Sequence, residues 1–241
     1  MNNTVPHNGN SLKIIGLKIT DKGRFGNLNI PLFESLPSNT KLIIKGENLT
    51  SHPDLEDFLF RMSASKIVCD IRINWTSFLE QYERLKKWTE QKLINEVGVI
   101  INEHVFCETI DRLCDLENTA IYTVLGTNES VFRQLMGRNL KLIILGYRQC
   151  DNQPNKENIN WTKNNLFSIF SGFKTVYISN IAFRQMRLTS GVEFHVIKDE
   201  ELFIDLPNNQ FAVSDISPKE EKRTINSTYI DDLFEQIRKE I

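Results

Sequence analysis

An α/β domain built on a parallel sheet is what this 241-residue sequence predicts. Three observations carry that prediction. Short runs rich in Ile, Val and Leu alternate with stretches of helical length. The runs show little polar alternation, as expected for strands buried on both faces. The strand-then-helix unit recurs six times, which calls for right-handed crossovers between parallel neighbours, in a sheet either open or closed into a barrel.

The first strand is expected over 12–20 (LKIIGLKIT), the second over 41–45 (KLIIK) and the third over 66–73 (KIVCDIRI). The fourth, fifth and sixth follow at 96–101 (EVGVII), 119–125 (TAIYTVL) and 140–145 (LKLIIL). Between them lie amphipathic helices. In 55–62 the apolar residues Leu55, Phe58, Leu59 and Met62 fall at i, i+3, i+4 and i+7, and Asp54 behind Pro53 stands where an N-cap belongs. One long helix is expected over 75–94, with Phe78, Leu79, Tyr82, Leu85 and Trp88 in register. Others are expected over 105–116, 129–136 and 158–170, the last beginning after an Asn-rich loop at 151–155.

The tail has a different rhythm. A short strand is expected at 175–179, then a hairpin of 193–197 with 202–206. Pro207-Asn208-Asn209 supplies a turn, and 211–213 returns as a strand. Residues 217–227 read as a charged loop, and 229–241 as a closing helix bearing Ile230, Leu233, Phe234 and Ile237. The expected organisation is therefore a flexible N-terminus over 1–10, a barrel-like core over 11–190, and a hairpin-and-helix extension of the same domain over 191–241.

Composition narrows the function classes. Hydrophobic residues make up 40% and charged residues 25%, as in an ordinary soluble domain. A net charge of -2 and a pI near 6.1 give no general attraction to nucleic acid or anionic lipid. The start MNNTVPHNGN is not that of a secretion signal, and no apolar run approaches the length of a membrane span, so a cytoplasmic protein is expected. Cys69, Cys107, Cys114 and Cys150 are scattered and read as buried or partly buried free thiols. Only four alanines accompany abundant Asn, Lys and Ile, a hint of an AT-rich coding genome such as that of a low-GC bacterium or its virus. There is no Gly-x-Ser-x-Gly elbow, no Gly-x-x-x-x-Gly-Lys phosphate loop and no dinucleotide fingerprint after the first strand. His104 lies near Glu103 and Cys107, but no second group of ligands supports a metal there. The charged residues of 41–45 and 84–87 read as solvated faces.

In parallel α/β folds the working surface is the rim at the C-terminal strand ends. Here that rim carries Thr20-Asp21, Gly46-Glu47-Asn48, Asn74, Asn102-Glu103, Gly126-Thr127 and Gly146-Tyr147-Arg148. The run Lys45-Gly46-Glu47-Asn48, then His52-Pro53-Asp54-Leu55, resembles the Gly-Gly-Glu-Pro motif and the next helix start of radical S-adenosylmethionine enzymes. Ile73-Asn74, Leu125-Gly126-Thr127-Asn128-Glu129 and Ile144-Leu145-Gly146-Tyr147 are similar to that family's third, fifth and sixth strand ends. Ser179-Asn180-Ile181-Ala182, Phe203-Ile204-Asp205 and Phe211-Ala212-Val213-Ser214 resemble the tail of members from bacterial viruses. The collinear match spans 12–214.

The resemblance implies a partial (β/α)6 barrel with a C-terminal β-hairpin and helix. It also places Glu47 near the methionine amino group of a bound cofactor, with Gly46, Asn48 and Asn74 in the same rim pocket. Asn102 and Glu129 fall near its ribose and adenine. One departure decides the chemistry. The family holds a [4Fe–4S] cluster with Cys-x-x-x-Cys-x-x-Cys after the first strand, whereas Gly23, Asn27 and Ile30 occupy that frame here. None of the three can replace a thiolate on iron. No cluster, no radical chemistry and no retained cofactor are therefore expected. Each rim residue also has a plain structural use as a cap, turn or solvated side chain. Tyr147 and Arg148 suit either an anionic ligand or a structural ion pair. The expected function is that of a catalytically inactive binding or regulatory protein, with another protein as partner and no nucleic acid or membrane. The alternative is a non-radical enzyme or nucleotide-binding protein that reuses Glu47, Asn74, Asn102, Glu129 and Arg148.

Overall fold

The computed structural model describes residues 13–20, 29–38, 40–46, 48–102, 107–147, 155–188, 195–197, 201–214 and 217–238. Among them eleven strands form one sheet. The first seven alternate with helices: β1 (Ile14–Lys18), α1 (Asn29–Glu34), β2 (Lys41–Lys45), α2 (Leu55–Ala64), β3 (Val68–Asn74), α3 (Trp75–Glu80), α4 (Tyr82–Glu90), β4 (Glu96–Ile100), α5 (Cys107–Asp115) and β5 (Thr119–Val124). There follow α6 (Glu129–Leu135), β6 (Lys141–Leu145), α7 (Lys156–Asn164), α8 (Leu166–Gly172), β7 (Thr175–Ser179) and α9 (Asn180–Gln185). The tail supplies β8 (His195–Ile197), β9 (Leu202–Asp205), β10 (Gln210–Ala212), β11 (Arg223–Thr224) and α10 (Ile230–Arg238).

Sheet order is β11-β10-β9-β1-β2-β3-β4-β5-β6-β7-β8. From β1 to β8 it follows the chain without reversal, and every neighbouring pair in that stretch is parallel. Strand β9 crosses to the other side of β1, again parallel, and then turns back antiparallel into β10 and β11. The expected hairpin thus exists with a different partner. Residues 195–197 pair with β7, and 202–205 pair with β1 and β10. The turn at Pro207-Asn208-Asn209 makes the hairpin, because Asn209 takes the left-handed conformation at φ 50 and its N–H reaches the Leu206 carbonyl at 3.0 Å.

Helices and strands share one core. Ile15, Leu17, Leu42, Ile44, Ile71, Val97, Val99, Ile121, Leu142 and Ile178 are buried in the same cluster as Phe33, Phe58, Phe78, Trp88, Phe132 and Leu233 from the helices. The alternate strand positions belong to a second, small cluster of Ala120, Tyr122 and Ile143, joined by Ile100, Leu145 and Tyr177. Among the described residues no helix contributes to it. One face of the sheet is therefore the helix face. The other is helix-free. The strands are buried on both faces, as expected, with consecutive buried residues in β1, β2, β4, β5 and β6, but the second face also carries Lys18, Lys45, Asp70, Arg72, Glu96 and Lys141.

Two expected helices are each broken into two. Gln81, at φ -112, separates α3 from α4, and Asn165, at φ -107, separates α7 from α8. Phe78, Tyr82, Leu85 and Trp88 are nevertheless all buried, so the apolar stripe continues across the first break. Helices α2, α4 and α9 end in the same way. The N–H of Ile67, Leu93 and Leu188 reaches back to Met62, Trp88 and Phe183, while Lys66, Lys92 and Arg187 sit at φ 60, 58 and 52. This is the Schellman closure with a basic residue, instead of glycine, at the left-handed position. The cation there faces the negative end of the helix dipole, which offsets part of the conformational cost.

Candidate functional site

The sequence-derived rim is built mostly from backbone-tethering contacts. Gly46 follows β2 with φ +156, and a Cβ there would lie 1.8 Å from the Ile19 carbonyl oxygen. Glycine is required because Ile19 N–H also bonds Lys45 O at 3.0 Å, which draws the two strand ends together. Glu47 lies outside the described residues. Asn48 is exposed and left-handed at φ 50, and it opens a 3-10 turn over Leu49–Ser51. His52 is buried, and its Nδ1 accepts from Asp54 N–H at 3.1 Å. Asp54 does stand at the N-cap of α2, but its side chain makes no capping bond.

Asn74 caps α3, its Oδ1 accepting from Ser77 N–H at 2.8 Å. Asn102 Oδ1 accepts from Val124 N–H at 3.1 Å and from Thr127 Oγ1 at 3.4 Å. It thereby ties the end of β4 to the loop leading into α6. Glu129 begins that helix and faces Arg133 at 3.8 Å, an exposed i, i+4 pair. Asn102 thus bonds the loop that precedes α6, the helix that Glu129 begins. Tyr147 is half-buried, and its backbone is held from both sides by Gln185, with Tyr147 N–H donating to Oε1 at 3.0 Å and Nε2 donating to Tyr147 O at 2.7 Å. Arg148, and with it the Tyr147-Arg148 pair as a unit, lies outside the described residues. Ser179 joins this corner, accepting from Gly146 N–H at 3.0 Å and capping α9 through Ala182 N–H at 3.2 Å.

Gly23 and Asn27, which the resemblance lays on two cluster-ligand positions, lie outside the described residues. The third is Ile30, in the first turn of α1, and its side chain packs against the main core. An aliphatic chain packed there offers iron no donor, so the residues do not fit an iron–sulfur cluster. Among the described residues no group of three or more His, Cys, Asp or Glu is placed to hold a metal ion. His104 and Glu103 lie outside them, as does Cys150. Cys69 is buried in β3, which pushes its thiol up to about 12, whereas Cys114 is exposed on α5.

The most polar surface built into the sheet is the helix-free face, which sequence reading missed. In parallel strands, residues in register point to the same side. One row reads Asp205, Lys18, Lys45, Arg72, Gly98, Ala120, Lys141 and Thr175 across eight strands from β9 to β7. The row below it carries Phe203, Gly16, Ile43, Asp70 and Glu96. Lys18 reaches Asp205 at 3.3 Å, Lys41 pairs with Asp70, and Lys141 pairs with Glu96. Asn95 Nδ2 donates to Asp70 at 3.1 Å, and the Tyr122 hydroxyl donates to Glu96 at 3.2 Å. These contacts correct the reading of 41–45 as a solvated charged face. Lys45 stands over the Phe203 ring at 5.0 Å and Arg72 over Tyr122 at 4.5 Å. Gly98 makes room for that last pair, since a Cβ there would meet Tyr122 Cε2 at 2.6 Å and Arg72 Cγ at 3.1 Å.

Burial governs the electrostatics of this face. Asp70 is 3% exposed, and desolvation raises its pKa despite the opposing pull of Lys41. Nearby Glu96 pushes in the same direction as burial. Burial likewise raises the pKa of the Tyr122 phenol, keeping it neutral and able to donate. The signal in the sequence was local. Asp70, Arg72 and Asn74 fall at every second position of β3, a period-2 polar stripe inside an otherwise apolar run.

At the opposite end of the strands a groove of about 400 Å³ is lined by Lys66, Lys92, Asn95 and Asn118 among others. Three of those residues are the left-handed positions of helix–strand turns, so turn geometry accounts for their presence. Among the described residues no helix is long and apolar enough to cross a membrane. No protein-family model matches the chain, and no curated protein matches it in sequence.

Proposed function

We propose that this chain is a binding or regulatory protein built on a partial (β/α)6 barrel of the radical S-adenosylmethionine type, without that family's chemistry. What supports the proposal is a strand–helix frame that resembles that family's, with no thiolate at the three positions the resemblance gives to the iron ligands. Sequential parallel strands have every described helix packed on one face, while Gly23, Asn27 and Ile30 stand where three thiolates would hold iron. Ala120, Tyr122 and Ile143 are 0%, 3% and 0% exposed on the face to which no described helix contributes, which is the burial that a sheet curled over that face would give. The concave side of such a sheet is where a ligand or a segment of a partner protein enters. A bacterial virus as source, and a host or viral protein as partner, rest on the resemblance of the tail alone.

The alternative of a rim enzyme has less support. Asn74 and Asn102 have their side-chain oxygens committed to backbone N–H groups, which leaves fewer groups for substrate. The deciding experiment is anaerobic reconstitution with iron and sulfide, followed by metal analysis and visible absorption. A colourless protein without stoichiometric iron is expected. A brown holoprotein with four irons per chain overturns the proposal.

A further inference from the structure

The turns that follow α2, α4 and α5 lead into three neighbouring strands, β3, β4 and β5, at the end of the sheet opposite the rim. Residues of all three turns line the groove of about 400 Å³, a size within the roughly 300–1,000 Å³ that small-molecule sites occupy. Its floor is apolar, formed by the buried residues Ile67, Cys69, Leu93 and Ile94. Its exposed margin carries Lys66 and Lys92 together with Glu117, so both signs of charge line one opening. Among the described residues these three side chains make no ion pair with each other or with a neighbour. Turn geometry calls for a left-handed residue at 66 and 92, but glycine would supply it without the cost that lysine carries at φ 60 and 58. The helix dipole offsets only part of that cost. The last carbonyls of those helices are already taken, since Ser63 O and Met62 O accept from Lys66 and Ile67 N–H, and Thr89 O and Trp88 O from Lys92 and Leu93 N–H. The fold therefore does not use up the two ammonium groups.

We infer that this groove binds a free α-amino acid with a bulky apolar side chain. Lys66 and Lys92 meet the ligand's carboxylate, Glu117 meets its ammonium, and the apolar floor takes its side chain. A purely anionic ligand would meet Glu117 as a like charge, and a purely cationic one would meet two lysines. A molecule that carries both charges finds a partner for each. None of the groove's residues belongs to the rim or to the positions given to the iron ligands, so the inference stands apart from the cluster-free reading.

The test uses the full chain with L-phenylalanine, hydrocinnamate and phenethylamine, which share one skeleton and differ in charge, read by thermal unfolding and calorimetric titration. Phenylalanine should raise Tm saturably, by about 5 °C or more at a hundredfold excess over Kd. Lys66→Gly and Lys92→Gly should each weaken its binding by roughly two- to fivefold. Their ligand-free Tm should equal or exceed that of the parent, so the lost affinity does not come from misfolding. Glu117→Gln should weaken phenylalanine by a similar factor while leaving hydrocinnamate unchanged or tighter. No saturable response to phenylalanine in the parent chain, or unchanged affinity in all three variants, overturns the inference. Hydrocinnamate or phenethylamine binding as tightly as phenylalanine overturns the assignment to an amino acid.

Discussion

Replacing Gly46 by alanine probes the joint that sets the rim. The added methyl would start 1.8 Å from the Ile19 carbonyl oxygen and 2.9 Å from its carbon, whereas real Cβ contacts essentially never fall under 3.0 Å. Both obstructing atoms are backbone, and Ile19 is 2% exposed, so no side chain can swing away to relieve the overlap. The ends of β1 and β2 must part. That opening strains the Ile19 N–H bond to Lys45 O, whose loss costs about 1 kcal/mol. A non-glycine residue at φ +156 adds about 1–3 kcal/mol of backbone strain. The expected loss is therefore about 2–4 kcal/mol, read as a lower midpoint in urea unfolding with an unchanged slope. Gly137→Ala is the internal control, because Gly137 has φ +78 with nothing within 4 Å, and so carries backbone strain without the collision. A Gly46→Ala protein within 0.5 kcal/mol of the parent, or no worse than Gly137→Ala, would refute the claim that this glycine is held by close approach.

Two further outcomes follow from the turns and the buried acid. Lys66→Gly and Lys92→Gly each relieve a left-handed non-glycine at φ 60 and 58, and after glycine's own entropic cost each should stabilise by roughly 0.5–1 kcal/mol in the same urea assay. Asp70 has a folded-state pKa raised above 3.8, chiefly by burial, so the native state holds its proton more tightly than the unfolded chain. Its contribution to stability should grow as pH falls through that elevated pKa towards 3.8 and be absent above it, and the stability difference between parent and Asp70→Asn should shift in favour of the parent across that window.

How much of this was legible in the sequence depends on which face of each strand spoke. The strand at 41–45 and the helix at 129–136 were readable because a compact apolar run, or an N-capping Asn128 before Glu129, marks them locally. The breaks at Gln81 and Asn165 were not, because neither residue is a helix breaker and the apolar spacing of Phe78, Tyr82 and Leu85 runs through. Helix α1, six residues with Pro31 inside it, has no periodic stripe long enough to register. The partners of β8 and β9 were illegible for a different reason. Two short strands five residues apart resemble a hairpin, and only tertiary packing sends one to β7 and the other to β1. For the candidate site, the rim positions were found by their place after each strand. The cation row was missed, because Lys18, Lys45 and Arg72 are far apart in sequence and meet only through register.

That register shapes where function belongs on this scaffold. Among the described residues the helix face is filled with aliphatic and aromatic side chains that form the main core, so it accounts for folding. On the other face Asp70, Glu96 and Asp205 are each at most 8% exposed in the side chain and each meets a lysine. Buried ion pairs of this kind are seldom the cheapest way to stabilise a fold, since apolar replacements of similar volume do as well or better. Three such pairs along one face of the sheet are more than stability alone requires. The polar face is thus where this protein's sequence departs from what folding alone would select.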